Sequence, residues 1–228
     1  MSFLRGLGGH EAARVLVGDG VRLRAPAPHD HADWARLREE SRGFLQPWEP
    51  MWARDELTRA AYRRRLRRYA REIRDDRTYP FFIFRACDNA LIGGVTLSNL
   101  RRGVAQTCVL GYWMGAPHAG RGYMSAAVRT VVAFAFGDLA LHRIEAACLP
   151  HNAPSRRLLE KAGFQVEGFA RRYLRIAGDW QDHVLFARLS SDPDPFMDGR
   201  EVEARLSPVW RGQGAGSSGQ PDGQKEIL

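Results

Sequence analysis

TCVLGYWMGAPHAGRGYMS, residues 107–125, is the stretch on which the reading of the fold turns. TCVLGYWMG (107–115) has the apolar, aromatic-rich character of a buried strand, and PHAGRGYMS (117–125) punctuates it with Gly120 and Gly122 before a helix begins. Two glycines so close allow positive φ and leave no side chain in the way, so that successive backbone N–H groups converge on one point. A helix starting at about Gly122 adds its unpaired first-turn N–H groups and the positive end of its dipole, which suits a pyrophosphate. Downstream, HRIEAACLP (142–150) reads as a second strand and HNAPS (151–155) as the start of a second helix. Strand, helix and strand in this order predict a right-handed crossover with parallel pairing.

The turn lacks the lysine of a P-loop and the G-x-G-x-x-G of a dinucleotide fold. It resembles instead the [QR]-x-x-G-x-[GA] signature of the GNAT superfamily of acyltransferases: Gly120 and Gly122 match, and Pro117 stands where Gln or Arg is usual. Residues 142–189 are similar to the C-terminal half of the Rim-type ribosomal-protein-alanine N-acetyltransferases, and FLQPWEP (44–50) is similar to a loop of their RimJ branch. The resemblance spans roughly residues 15–190. It implies an α/β (α+β) fold with a mixed, mostly antiparallel sheet, splayed between strands 107–115 and 142–149, with helices on both faces.

Length and composition set the outer bounds. A chain of 228 residues fits one domain, expected over 15–190, with a loose arm at 1–14 and a Pro-, Gly- and Ser-rich flexible tail at 191–228. No apolar run reaches membrane-spanning length and the N-terminus lacks the pattern of a signal peptide, so a cytoplasmic protein with no membrane association is expected. Cys87, Cys108 and Cys148 have no C-x-x-C spacing and read as buried free thiols, with neither a disulfide framework nor a metal site. The formal charge is +8, carried almost wholly by arginine, which is a mark of codon bias as well as an aid in approaching acidic partners.

Along the chain, VRLRAP (21–26) reads as a first strand and 30–42 as a short helix ending near Gly43. A long helix is expected over 55–76, with Tyr62, Leu66, Tyr69 and Ile73 as a buried stripe. Its other faces carry arginines from Arg59 to Arg77, which are either a solvated surface or a docking face for ribosomal RNA or an acidic protein. Strands 79–87 and 90–99 form a hairpin about Asp88 and Asn89; two last strands, 165–175 and 180–189, turn at Ala177, Gly178 and Asp179.

By the resemblance, the enzyme transfers acetyl from acetyl-CoA to an amine by direct attack through a tetrahedral intermediate. Pantetheine would pair with main chain at Tyr112, Trp113 and Met114, the Met114 amide serving as oxyanion donor. The pyrophosphate would lie on Gly120, Arg121, Gly122, Tyr123, Met124 and Ser125. Asn152 would bond the pantetheine and Ser155 would stabilise or protonate the thiolate, although both also suit helix capping. At the positions where relatives place a base this chain has Leu174, or Ala147 with Leu159. Glu145 and Glu49 are therefore the carboxylate candidates, Glu49 also for binding the incoming ammonium; His183 and Tyr123 are outliers. The implied acceptor is the N-terminal Ala or Ser of a ribosomal protein; alternatives are a small amine, or a non-catalytic basic ribosome-assembly protein. Monomer and homodimer are both left open.

Overall fold

The computed structural model describes residues 15–195; the expectations for 1–14 and for residues after 195 lie outside the described residues. Eight strands form one sheet in the order β1-β2-β3-β4-β5-β6-β8-β7. They are β1 (Leu16–Gly18), β2 (Val21–Arg24), β3 (Tyr79–Arg85), β4 (Leu91–Arg101), β5 (Thr107–Met114), β6 (Arg143–Cys148), β7 (Gln165–Ile176) and β8 (Asp179–Leu189). Every pairing is antiparallel except β5 with β6, where the crossover was expected. The helices are α1 (His31–Glu40), α2 (Arg42–Leu45), α3 (Arg59–Arg74), α4 (Tyr123–Gly137) and α5 (Ala153–Lys161). Among the described residues no helix is long and apolar enough to cross a membrane.

β3 explains why the sheet carries helices on both faces. In YPFFIFR the alternate residues Tyr79, Phe81 and Ile83 join the main core under α4, whereas Phe82 and Phe84 join a second cluster with Trp34, Leu37 and Tyr62 of α1 and α3. A strand covered twice is apolar throughout, hence its lack of alternation. α4 is likewise closely packed, with Ala127, Val128, Val131 and Ala135 fully enclosed.

Several boundaries differ from expectation. β1 is an additional short edge strand, joined to β2 through Gly20 at φ 68. The helix expected over 30–42 ends at Glu40, and Ser41 starts a second short helix. α3 begins at Arg59 rather than 55, because the Thr58 hydroxyl accepts the Ala61 N–H (3.2 Å) and caps it. Of its expected stripe only Tyr62 is fully buried; Leu66, Tyr69 and Ile73 are half-buried. Cys108 and Cys148 are buried, but Cys87 is exposed, since the hairpin turn carries it off the sheet.

At Gly93 of β4 an added Cβ would lie 2.6 Å from the Trp113 carbonyl oxygen of β5. Backbone cannot give way there as a flexible side chain would. Gly93→Ala is expected to lower stability by about 1–3 kcal/mol, measured by urea unfolding.

Candidate active site

The parallel ladder between β5 and β6 pairs only Thr107, Cys108 and Val109 with Arg143, Ile144 and Glu145. Beyond Val109 the strands part. Toward β4, Gly93 faces Met114 and the Gly115 N–H donates to the Ile92 carbonyl (2.9 Å), which makes Gly93 and Met114 a non-hydrogen-bonded pair. By strand alternation the amides of Tyr112 and Met114 then point away from β4, toward the opening. The gap continues into a cavity of about 750 Å³.

At one end lies the glycine turn. Gly120 (φ 73) and Gly122 (φ 84) are both left-handed, and Gly122 is the N-cap of α4. The Ala126 N–H makes the first intrahelical bond, to Gly122 O (3.1 Å). The amides of residues 122–125 precede it and remain for another acceptor. An added Cβ at either glycine meets nothing within 4 Å, so the ground above the turn is open. Arg121 lines this end, and so do Arg157 and Lys161 of α5, which the sequence reading did not single out. Burial, together with the charges of Arg85 and Arg121, pushes His118 below the ordinary histidine range. The result is an electropositive concavity lined by main-chain donors.

Midway, the start of α5 meets β5. The Asn152 side chain caps the helix by accepting the Ser155 N–H (3.1 Å), as its residue type suggested, and also lines the cavity. The Ser155 hydroxyl shares a 2.8 Å hydrogen bond with the Tyr112 phenol, a contact between side chains 43 residues apart that no local pattern could signal. Burial pushes the Tyr112 phenol well up, so it stays protonated and can pass a proton through Ser155. Cys148, on the same wall, is also pushed up by burial.

The far end is closed by residues 44–49. Glu49 accepts two bonds from the Arg38 guanidinium (3.2 and 2.6 Å) and one from the Trp52 indole (2.7 Å). Arg38 is 5% exposed, with its guanidinium 4.3 Å from the Trp52 ring centre and 5.0 Å from that of Trp113. The loop is also pinned through main chain. Ser41 Oγ accepts the Ala116 N–H (2.9 Å), Glu49 O accepts the Ala177 N–H (2.9 Å), and the Trp48 ring lies 5.4 Å from that of His151. Glu49 is thereby a fixed negative group facing the cavity.

The structure thus gathers around one cavity every residue named above for cofactor binding, with Ser155 and Glu49. It does not bring Glu145 there. That carboxylate is outside the lining, bonded to Arg143 (3.0 Å) and near Arg101 (3.6 Å), within a group that includes Glu167. Strand alternation from Ala147 selects Glu145 in the sequence but cannot show that the strand end, not its middle, meets the cavity. Ala147 and Leu174 both line it.

An open parallel seam, a glycine cradle at a helix start and a neighbouring Ser–Tyr pair suit a transferase that holds an extended acyl carrier. The chain belongs to the GNAT acetyltransferases: residues 21–165 match the family described as Acetyltransferase (GNAT) domain. It is 40% identical over 180 residues to Bacillus subtilis "Probable N-acetyltransferase YjcK", covering 79% of this chain and 99% of that one. It is 34% identical over 176 residues to the Escherichia coli [ribosomal protein uS5]-alanine N-acetyltransferase, covering 76% and 91%. Mycobacterium smegmatis RimJ, solved in complex with CoA-disulfide, superposes with a TM-score of 0.73 at 32% identity, over 84% of this chain and 93% of its own length.

Proposed function

We propose that this acetyltransferase moves acetyl from acetyl-CoA to the α-amine of an N-terminal Ala or Ser, the acceptor being a ribosomal protein in the cytoplasm. The observation that carries the reading is one cavity holding both halves of the reaction: unpaired strand amides and a glycine cradle for the donor, and the anchored Glu49 for a cation. The name of the Escherichia coli relative favours a protein acceptor. The chain's own residues fit the donor. Amides 122–125 with Arg121 would hold the pyrophosphate, the Tyr112 and Met114 amides would pair with pantetheine or receive the developing oxyanion, and Asn152 would hold the arm. Ser155, backed by Tyr112, would protonate the departing thiolate.

An α-amine titrates near ~7.7–8.0 and a lysine near ~10.4, so at neutral pH far more of the α-amine is already nucleophilic. Acetyl-CoA turnover is expected with an Ala-initiated peptide, and none with the same peptide blocked at its α-amine and carrying an internal lysine. Turnover only of small free amines would replace the acceptor, and an unchanged N-terminal proteome after gene deletion would remove the protein substrate.

Arg63, Arg67, Arg71 and Arg74 of α3 are exposed, and we read this face as the ribosome-docking surface. Arg64 is tied to Asp55 and Arg65 to Glu56. Reversing charge at Arg64, Arg67 and Arg71 is expected to lower activity on ribosomal particles roughly tenfold at moderate salt and to spare a short peptide. Equal losses on both would overturn this docking role.

A further inference from the structure

Attack by an amine on a thioester releases a proton into the cavity, and most cavity-lining groups near Glu49 cannot take it. Glu49 already accepts three N–H bonds, Ala147 and Leu174 are apolar, and Glu145 is outside the lining. His183 of β8 is placed differently. It lines the same cavity and is 3% exposed overall. Its Nδ1 lies 3.0 Å from the Gln181 carbonyl oxygen, which can only accept, so Nδ1 carries the proton and Nε2 of the neutral ring keeps a lone pair. Among the described residues Nε2 has no hydrogen-bond partner, and it is not among the enclosed unpartnered polar atoms. The Tyr173 ring, 5.7 Å away and edge-on, fixes the imidazole plane.

Register puts the ring in a useful place. Ala147 of β6 faces Leu185 of β8, and His183 is two residues along β8, hence on the same sheet face as Ala147. On the other side Leu174 of β7 faces Gln181, again two residues from His183. The ring therefore stands between two apolar wall positions, on the face that carries them.

The geometry points to His183 as the general base of the transfer, an assignment that rests on the acyl-transfer reading above. The neutral amine's electron pair forms the C–N bond to the acetyl carbonyl carbon, and its proton passes to Nε2 directly or through one water. The C–S bond then breaks with its electrons on sulfur, which takes a proton from the Ser155–Tyr112 pair. Solvent afterwards removes the proton from His183 and restores the one lost by the pair.

The test uses the full chain with acetyl-CoA and an Ala-initiated peptide. His183→Gln is expected to lower kcat about 100-fold, with CoA affinity by calorimetry and the peptide KM within threefold of wild type. His183→Ala is expected to recover at least tenfold in kcat when free imidazole is added, which a purely structural role would not produce. A kcat within threefold of wild type in His183→Gln, or a folded His183→Ala enzyme that imidazole does not rescue, overturns the assignment. Those outcomes with an active wild type leave the acetyltransfer reading standing; a wild type inactive on every amine removes both.

Discussion

Gly122→Val is expected to weaken CoA binding by about 100-fold or more. The residue caps α4 at φ 84, a conformation that costs an L-residue roughly 1–2 kcal/mol and a β-branched one more. Valine would relieve that strain by turning the peptide planes on either side of it, which re-aims the N–H groups of the first helical turn. Each charge-assisted hydrogen bond lost is worth about 1.5–3 kcal/mol, so strain and misdirection together exceed the ~2.7 kcal/mol that corresponds to two decades. Gly122→Ala separates the two effects, because its Cβ meets nothing within 4 Å and adds strain alone. Calorimetry gives the affinity directly. A thermal scan gives the same answer by linkage, since CoA at 100 times its Kd should stabilise the wild type by about 2.7 kcal/mol and the valine variant by almost nothing. Unchanged affinity in Gly122→Val would mean that the phosphates lie elsewhere.

Arg38→Ala is expected to cost about 3 kcal/mol of stability and to raise the acceptor KM at least tenfold. The guanidinium is packed between indoles and has a side-chain exposure of 6%, whereas Glu49 keeps 20%. Removing one partner of a buried ion pair typically costs about 3–5 kcal/mol, and the lower end applies because water still reaches Glu49. For a domain of this size the fall in Tm would be roughly 6–12 °C. Arg38→Met keeps much of the packing, so it should recover part of the stability but none of the acceptor affinity. A Tm within two degrees of wild type, or an unaltered KM, would show that the ion pair does not hold the loop.

These two residues also mark the limits of what a linear sequence reveals. Gly120 and Gly122 were legible because a glycine-rich turn at a strand–helix junction dictates backbone geometry locally, and the parallel seam followed from chain order and handedness. The hairpin turn at Ala177 and Gly178 was equally readable, and both residues have positive φ. Arg38 was not, because arginine is ordinarily exposed and its burial depends on Glu49 and three tryptophans brought together where the helix is interrupted at Ser41. The Tyr112–Ser155 bond and the placement of His183 depend on register between strands and helices distant in sequence. Glu145 shows the converse failure: strand alternation assigns a face, but the length of the seam decides which rung of that face meets the cavity.

That seam has a mechanical consequence. Two slabs, one of five strands and one of three, meet along one short corner, Thr107–Val109 against Arg143–Glu145, and toward Met114 the sheet is held only from the β4 side. Deuterium uptake should be slow at the corner and fast toward Met114 in the free protein, and a carrier wedged between the slabs would even out the two rates.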